Sequence, residues 1–457
     1  MRWAAARARA ALLGAVALCA VAALPGATAV AGTAGQETYA FAPDARPVTG
    51  TTGTAGAPRL EPGRTYRGSL PGSGVLYYRL DLDASDTAYV PVTAVPPAGT
   101  PVSATDGVRV SVQDARGTPC SYGSAFFGAG LSARPVTALG QRETGRTLCR
   151  GAGTYYLRVE RRDAEVSAAA PPAPRWDLEI TPVTEPGPAK AGATTPPGAW
   201  DSASPEPLAG EPRDRSGGTG FATARALGQG VWSTRIAPGQ TLFYKVPVDW
   251  GRRLQATAEL AGAPGHGYVG GALNLTLHNP VRGYVDAASL GYTGAPKSAS
   301  LDPVPPVEYA NRYAAVARVG AVRFAGEYYL VLHLSSQMSG TFGQGPFGVT
   351  LRVRLDGQAH AGPDYAGSPV PGDVFTISAR DRAEALTGGV GGIGGVGSAG
   401  GYGGAGSVDG SDGGGTTMTA LAVGGIGTGT ALLLLLAVWT LTARRTQTRA
   451  SAQKPTA

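Results

Sequence analysis

Cysteine, histidine, methionine and charged residues are all scarce in this chain. Its 457 residues include 3 Cys, 4 His and 3 Met, and only 16% are charged. So few charges argue against a long coiled coil, and so few metal-ligating side chains argue against a histidine-rich metal protein. The sequence also lacks the His-Glu-x-x-His, Gly-x-Ser-x-Gly and Walker A motifs. We therefore predict a protein that is not an enzyme, with no catalytic residues, no metal and no cofactor. His333 alternates with apolar neighbours and is predicted to be an outward-facing strand residue.

Glycine and proline are abundant instead, with 70 and 36 residues. That share approaches the level at which segments stop packing into a core. Three segments rich in these residues lack apolar periodicity, and they predict a disordered region at 32–58, a proline-rich linker at 183–218 and, within a juxtamembrane segment at 356–416, a glycine-rich stalk.

The positive charge is confined to the two ends of the chain. Seven basic residues there account for the whole net charge of +7: Arg2, Arg7, Arg9, Arg444, Arg445, Arg449 and Lys454. The rest of the chain carries 32 basic and 32 acidic residues. A nucleic-acid-binding protein concentrates positive charge on its folded part, so we expect no nucleic-acid partner.

Both ends have the patterns of membrane targeting. Residues 1–31 combine a basic start, an apolar run and small residues at a cleavage site, which predicts a signal peptide, the alternative being an uncleaved anchor. Residues 417–443 are uncharged and precede two arginines, which predicts a transmembrane helix with the tail 444–457 in the cytoplasm. Gly425 and Gly429 in that helix have the spacing of a homodimer contact. The predicted location is the cell membrane, single-pass, with the N-terminal ectodomain outside.

The stretches 59–182 and 219–355 repeat each other. Five segments of the first match five of the second in the same order: 66–70 with 232–236, 76–80 with 242–246, 108–112 with 273–277, 153–159 with 326–332, and 178–180 with 349–351. Each is short, alternating or β-branched, and most are bounded by turn residues. A duplicated domain explains the order. We predict an all-β protein with two tandem jelly-roll-like β-sandwich domains.

Part of the second repeat resembles a known bacterial family. The segments 236–240 and 243–246, the turn at 249–251 and the closing strand 326–330 resemble the bacterial pre-peptidase C-terminal domain. The resemblance implies small jelly-roll-like sandwiches attached to secreted bacterial proteins, often proteases. It supplies no catalytic residues to carry over. The first repeat matches that pattern less cleanly.

Cys120 and Cys149 are the cysteines that remain after removal of a signal peptide. In an exported protein, such a pair predicts a disulfide within the first repeat, the alternative being a redox or metal pair. Asp81, Asp83 and Asp86 form the densest acidic group, which fits either a solvated turn or part of a calcium site.

The segment 281–320 of the second repeat has no evident counterpart in the first. It contains Tyr292, Tyr309, Tyr313 and Arg312, residue types that are enriched at binding interfaces. We predict that these four bind a protein or glycan partner, the alternative being that the segment packs against its own sandwich.

These patterns together predict a non-enzymatic, surface-anchored binding or scaffolding protein of the bacterial cell envelope. An extracellular sensor or receptor subunit acting through a membrane partner is the first alternative. An accessory to an exported protease is the second, and it rests on the family resemblance alone.

Overall fold

The computed structural model describes residues 38–162, 173–192, 194–206 and 208–387. No helix among them is long and apolar enough to cross a membrane. The predicted signal peptide, glycine-rich stalk 388–415, membrane span with Gly425 and Gly429, and cytoplasmic tail lie outside these residues.

The described residues are mainly β-structure, which confirms the predicted all-β class. Ten strands lie between residues 46 and 185: β1 (Arg46–Pro47), β2 (Tyr66–Leu70), β3 (Val75–Leu82), β4 (Thr87–Val95), β5 (Gly107–Asp114), β6 (Pro119–Phe126), β7 (Val136–Arg142), β8 (Gly153–Arg162), β9 (Trp176–Ile180) and β10 (Val183–Glu185). Ten more follow: β11 (Arg213–Asp214), β12 (Arg225–Ala226), β13 (Gly230–Ile236), β14 (Thr241–Val248), β15 (Arg253–Leu260), β16 (Val269–His278), β17 (Tyr284–Tyr292), β18 (Lys297–Ser300), β19 (Gly326–Leu334) and β20 (Phe347–Asp356). The helices are short: α1 (Ala317–Ala321), α2 (Met338–Phe342), α3 (Ala379–Thr387), and the 3₁₀ turns Gly128–Gly130, Phe221–Thr223 and Tyr309–Tyr313.

The strands form two sandwiches with the same connectivity. In the first sandwich, one layer has the order β2-β9-β4-β7 and the other β3-β8-β5-β6. In the second, the layers are β13-β20-β15-β18 and β14-β19-β16-β17. Eight antiparallel strands in two such layers are the arrangement of a jelly roll. The five matched sequence segments occupy equivalent strands in the two sandwiches.

Alternating residues of each strand form the two cores. Val108, Val110 and Val112 of β5 are buried in the first core, and Leu273, Leu275 and Leu277 of β16 occupy the equivalent places in the second. Burying one such side chain contributes about 1.5–3 kcal/mol. The apolar positions of the repeat are therefore explained by packing inside each sandwich.

The segment 281–320 does have a counterpart, contrary to expectation. It supplies β17 and β18, which occupy the places that β6 and β7 hold in the first sandwich. The correspondence is hidden in the sequence because β6 exposes alternate residues to solvent and because β17 is irregularly paired with β16. Neither β6 nor β17 therefore has an apolar pattern by which the two repeats could be aligned in the sequence.

The predicted linker 183–218 and the predicted disordered region 32–58 are both ordered where the structure describes them. β10 pairs with β4, and the backbone carbonyls of Asp201, Glu206 and Leu208 accept hydrogen bonds from arginines of the second sandwich. Proline-rich backbone lacks donors but keeps its carbonyls, so arginine side chains can hold it. In the N-terminal segment, Tyr39 is buried and β1 pairs with β2.

Residues 356–387, expected beside the membrane, pack against the sandwiches. The backbones of Val370 and Thr184 form two hydrogen bonds, with each amide donating to the other residue's carbonyl. The carbonyl of Ala385 in α3 accepts a hydrogen bond from the Gly228 amide at 2.9 Å, and Arg382 binds Asp249 at 2.7 Å. This segment therefore belongs to the folded unit.

The two sandwiches are packed directly together. β4 has buried residues on both faces: Val90 and Val92 lie in the first core, whereas Tyr89 packs against Phe324 of the second sandwich at a ring separation of 5.3 Å. β19 shows the same property, with Leu330 in the core and His333 buried against the first sandwich. His333 does face outward from its own sandwich, as expected, but the neighbouring domain covers it.

Candidate functional site

Tyr292 is a core residue, not a partner-binding one. It is the last residue of β17, faces the core and is fully buried, and the centre of its ring lies 5.0 Å from that of Phe342. Its hydroxyl donates to the Ala261 carbonyl at 2.6 Å. Tyr292 lies two residues after the buried Leu290, so both side chains are on the core-facing side of β17.

Arg312 binds the chain's own first half. Its Nη2 donates to Glu185 Oε1 at 2.7 Å, and its guanidinium lies 3.4 Å from the centre of the Tyr309 ring. Glu185 also accepts from the Tyr89 hydroxyl at 2.8 Å. Arg312 is therefore an interface residue, as its type suggested, but the described surface that it contacts is internal. Tyr309 and Tyr313 are half-buried beside it.

Three carboxylates of the first half are paired with three arginines of the second across this junction. The pairs are Glu179 with Arg282 at 2.5 Å, Glu185 with Arg312 at 2.7 Å, and Glu143 with Arg323 at 2.8 Å. All six side chains are at most 14% exposed. Burial alone would raise the pKa of Glu143, but the guanidinium of Arg323 and its neighbour Arg146 lower it overall. Complementary buried charges fix how two surfaces meet.

Close backbone contact adds to this docking. The 3₁₀ turn Gly128–Gly130 lies on β16, and a Cβ added at Gly271 would stand 2.7 Å from the Gly130 nitrogen. Gly271 also has φ of +57°, so a side chain is excluded there both by space and by conformation. Ser335 Oγ donates to the Gly130 carbonyl at 2.9 Å beside this contact.

The predicted disulfide between Cys120 and Cys149 is confirmed, with 29 residues of separation. It joins β6 to the loop that precedes β8, and both residues pack against the first core. The loop is further held by the Tyr155 hydroxyl, which donates to the Gly151 carbonyl at 2.6 Å. The disulfide fixes the strand that carries the exposed residues described below.

The acidic group at residues 81–86 has a structural explanation. Asp81 forms ion pairs with Arg59 and Arg79 at 3.1 and 2.8 Å. Asp83 Oδ1 accepts the backbone amides of Ser85 and Asp86, as in a turn. Across the described ranges, no group of three or more potential ligand residues is placed to hold a metal ion.

A groove runs along one side of the junction between the sandwiches, and we call it the interdomain groove. Three adjoining cavities of roughly 290, 470 and 560 Å³ form it, and each shares wall residues with the next. One wall is the β6–β7 edge of the first sandwich. The other is the outer face of β16, β17 and β19, followed by the turn that carries Tyr309 and Tyr313. Tyr309 and Tyr313, which were predicted to bind a partner, thus line the groove at one end.

Exposed aromatic rings stand along this groove. Tyr122 is 69% exposed, Phe126 44% and Tyr284 58%. Tyr284 lines both of the first two cavities, with Phe126 in one and Tyr122 in the other. Large apolar surface that is left in contact with water inside a concavity is typical of a ligand site.

Polar side chains line the same groove on the strand beside these rings. Asn274, Thr276 and His278 lie on the outer face of β16, which is the face opposite the leucines of the core. His278 Nδ1 contacts the Arg282 carbonyl at 3.1 Å, and because that oxygen can only accept, Nδ1 carries the proton. Burial lowers the pKa of His278 to about 4, so the ring is neutral.

Sequence reasoning missed most of this wall. Tyr122, Ser124 and Phe126 share one parity on β6, and they are its exposed side. Two aromatic residues on the solvent face of a strand are a signal for binding, and it could have been used. The second wall could not have been found this way, because it depends on how the sandwiches pack.

Comparison with known proteins assigns no family. No family model matches the chain, and no curated protein matches it. The resemblance to the pre-peptidase C-terminal domain therefore stays a prediction.

Some solved structures show limited similarity. The tandem CBM22-1-CBM22-2 domain of Xyn10C from Paenibacillus barcinonensis has 11% identity and a TM-score of 0.17, covering 62% of this chain and 82% of that one. The ANXUR2 extracellular domain of Arabidopsis thaliana has 10% identity and a TM-score of 0.16, covering 65% and 86%. A secreted protein of Parabacteroides distasonis has 8% identity and a TM-score of 0.15, covering 63% and 90%. Similarity this low carries no functional argument.

Proposed function

We propose that this protein is a non-enzymatic, surface-anchored binding protein of a bacterial cell envelope, and that the interdomain groove holds a glycan. The observation that carries the proposal is the row of exposed aromatic rings inside a groove that both sandwiches build. Anchoring by a C-terminal membrane helix, with the sandwiches outside the cell, follows from the targeting patterns at the two ends of the sequence.

The chemistry of the groove suits a sugar chain. A pyranose ring has a face of C–H groups and a rim of hydroxyls. The face packs on an aromatic ring, whose negative π-surface attracts the slightly positive hydrogens. The hydroxyls exchange hydrogen bonds with side chains such as Asn274 and Thr276. A groove of adjoining cavities favours an elongated ligand over a compact one.

Rigid support for the groove comes from the paired charges and the disulfide. The walls are built mainly on β-strands, and the Glu185–Arg312 and Glu143–Arg323 pairs hold the two sandwiches together at the groove, which Glu143, Arg312 and Arg323 also line. A site held on regular strands needs little ordering when the ligand arrives, which favours affinity. The scaffold therefore matches a binding role.

A glycan array tests the proposal. The full-length protein, labelled and in detergent, is applied to immobilised neutral, carboxylated and phosphorylated oligosaccharides of three to six sugars. We expect selective binding to a subset of the array. Loss of rings in the Tyr122→Ala, Tyr284→Ala double variant should weaken that binding by about 10-fold or more.

Tyr268→Ala is the matched control for this test. Tyr268 is also exposed, at 68%, and belongs to the second sandwich, but it is not part of the groove wall. We expect its substitution to leave glycan binding unchanged. Absence of binding to every oligosaccharide, or equal loss in the control and the groove variant, would overturn the proposed function.

Surface exposure is tested separately by adding protease to intact cells. The proposed topology predicts that the mass of both sandwiches is digested while a fragment containing 417–457 stays protected. Protection of residues 59–355 in intact cells would contradict it.

A further inference from the structure

One end of the interdomain groove contains a single charged side chain. The cavity of roughly 290 Å³ is lined by residues of β6, β7, β16, β17 and β19, and Arg134 is the one charged residue among them. No aspartate or glutamate lines it. This differs from the rest of the junction, where each of the arginines 282, 312 and 323 is matched by a glutamate.

The guanidinium of Arg134 is held by the backbone. Its Nη1 donates to the Phe127 carbonyl at 2.6 Å and its Nη2 to the Phe126 carbonyl at 3.3 Å. Among the residues that the structure describes, no carboxylate lies within 4.0 Å of it. An arginine has five N–H donors, so these two bonds orient the group and leave others for a ligand. Burial lowers the pKa of Arg134 to about 10, and the side chain is still a cation at neutral pH.

The neighbours of Arg134 do not neutralise it. His333 is buried with Nε2 3.0 Å from Ser132 Oγ and Nδ1 2.9 Å from Thr241 Oγ1. Burial, with a contribution from Arg134, lowers the pKa of His333 well below its usual value, so its ring is neutral. Hydroxyl and amide groups of Ser124 and Asn274 complete the polar lining. A partly buried cation beside neutral hydrogen-bonding groups favours an anionic ligand, since the ligand supplies the missing counter-charge.

We propose that this end of the groove binds an oxyanion of the glycan, a sugar carboxylate or a sugar phosphate, with Arg134 as its counter-ion. The inference rests on the proposed glycan-binding function and makes it more specific. Phe126 and Tyr284 stand in the same cavity, so the charged sugar would pack on a ring while its anion meets the guanidinium. This arrangement favours an acidic saccharide over an acidic peptide, which has no comparable flat face.

Matched pairs of oligosaccharides test the charge directly. Binding of the full-length protein is measured to uronate-containing oligosaccharides and to their methyl esters, which lack the negative charge and carry one added methyl group, and to phosphorylated and neutral oligosaccharides of equal length. A charge-assisted hydrogen bond predicts a preference for the acidic member of roughly 10- to 100-fold. Comparison of the uronate-containing with the phosphorylated oligosaccharides then shows which oxyanion the site binds.

Variants of Arg134 test whether this residue causes the preference for acidic oligosaccharides. Arg134→Gln should remove most of it, Arg134→Lys should retain part of it, and binding of neutral oligosaccharides should change little in either. Arg235→Gln is the control, because Arg235 also donates to a backbone carbonyl, that of Pro346 at 3.0 Å, but lies outside the groove. If Arg134→Gln does not fold, the wild-type preference is measured against ionic strength instead. A preference for the acid that weakens as salt rises supports the inference.

The outcomes separate the two proposals. Equal binding of acids and methyl esters, or a preference that Arg134→Gln leaves intact, overturns the role of Arg134 while the glycan-binding function stands. Binding to acidic peptides but to no oligosaccharide overturns both proposals, as does no binding at all.

Discussion

Arg312 and Glu185, 127 residues apart in the sequence, form a buried ion pair that joins the two halves of the chain. The carboxylate also accepts hydroxyl donors from Tyr89 and Tyr365, at 2.8 and 3.0 Å. Together with two hydrogen bonds from Arg312, at 2.7 and 3.4 Å, the carboxylate accepts four hydrogen bonds, and it keeps them only while both sandwiches are in place. This relationship makes the folding of one half dependent on the other.

Removing one partner of this pair should be costly. Arg312→Met leaves the Glu185 charge buried without its guanidinium, and we expect a loss of about 3–5 kcal/mol in the free energy of unfolding. Adding Glu185→Gln should restore much of that loss, because no buried charge remains while the amide oxygen can still accept a hydrogen bond from a tyrosine hydroxyl. Chemical denaturation of the three proteins measures it. Arg380→Met, which breaks the exposed Arg380–Glu384 pair on α3, is the control and should leave the free energy of unfolding nearly unchanged. A loss for Arg312→Met no larger than the control would mean that the junction does not couple the sandwiches.

The disulfide variant should destabilise the whole folded unit. In the chain-entropy model, a loop of about 30 residues gives a stabilisation of about 3.5 kcal/mol, which Cys120→Ala, Cys149→Ala removes. Because the sandwiches share a buried junction, we expect one calorimetric transition in both proteins, shifted to lower temperature in the variant. A proline-rich connection between independent domains would instead give two transitions, with the second unaffected. Observing those two transitions would refute the shared unit.

Two buried histidines predict a loss of stability in mild acid. Burial lowers the pKa of His278 to about 4, and that of His333 lies well below its usual value. The unfolded chain takes up protons near pH 6.5 while the folded chain does not, so stability falls as the pH drops. The expected loss between pH 7.5 and 5.5 is about 1.4 kcal/mol for each histidine. His360 opposes this weakly, because its bond to the exposed Glu308 raises its pKa.

Urea unfolding at pH 7.5, 6.5 and 5.5 measures this dependence. The charged groups nearest the two rings are Arg282, for His278, and Arg134, for His333, and neither titrates in this range. The His278→Gln, His333→Gln double variant should therefore show a much flatter profile than the wild type. A wild-type profile as flat as that of the variant would show that the rings are solvated.

The parts of the fold that depend on apolar alternation could be predicted from sequence. Val108 to Val112 and Leu273 to Leu277 have the pattern of core strands, and their order identified the duplication. The pairing of Cys120 with Cys149 followed from the scarcity of cysteine. Both inferences use information that lies within a short stretch of chain.

The junction could not be predicted in the same way. The roles of Glu185 and Arg312 depend on packing between residues 127 positions apart, and the proline content of 183–218 suggested a free linker. One local signal was available: Thr87–Val95 has no charged residue on either face, and a strand of this kind is typically covered by other elements on both faces. Tyr292 was wrongly predicted to bind a partner, because the prediction used its residue type and not the face of the strand on which it lies.

Hydrogen exchange of the full-length protein, with and without the oligosaccharide that binds most tightly on the array, tests the central claim most directly. A glycan in the interdomain groove predicts slower exchange in both walls, in 122–137 of the first sandwich and in 274–287 of the second, with little change around Thr350 in β20, a central strand of the other layer of the second sandwich. Protection confined to one sandwich, or located away from both walls, would contradict the claim that the two domains build one binding site.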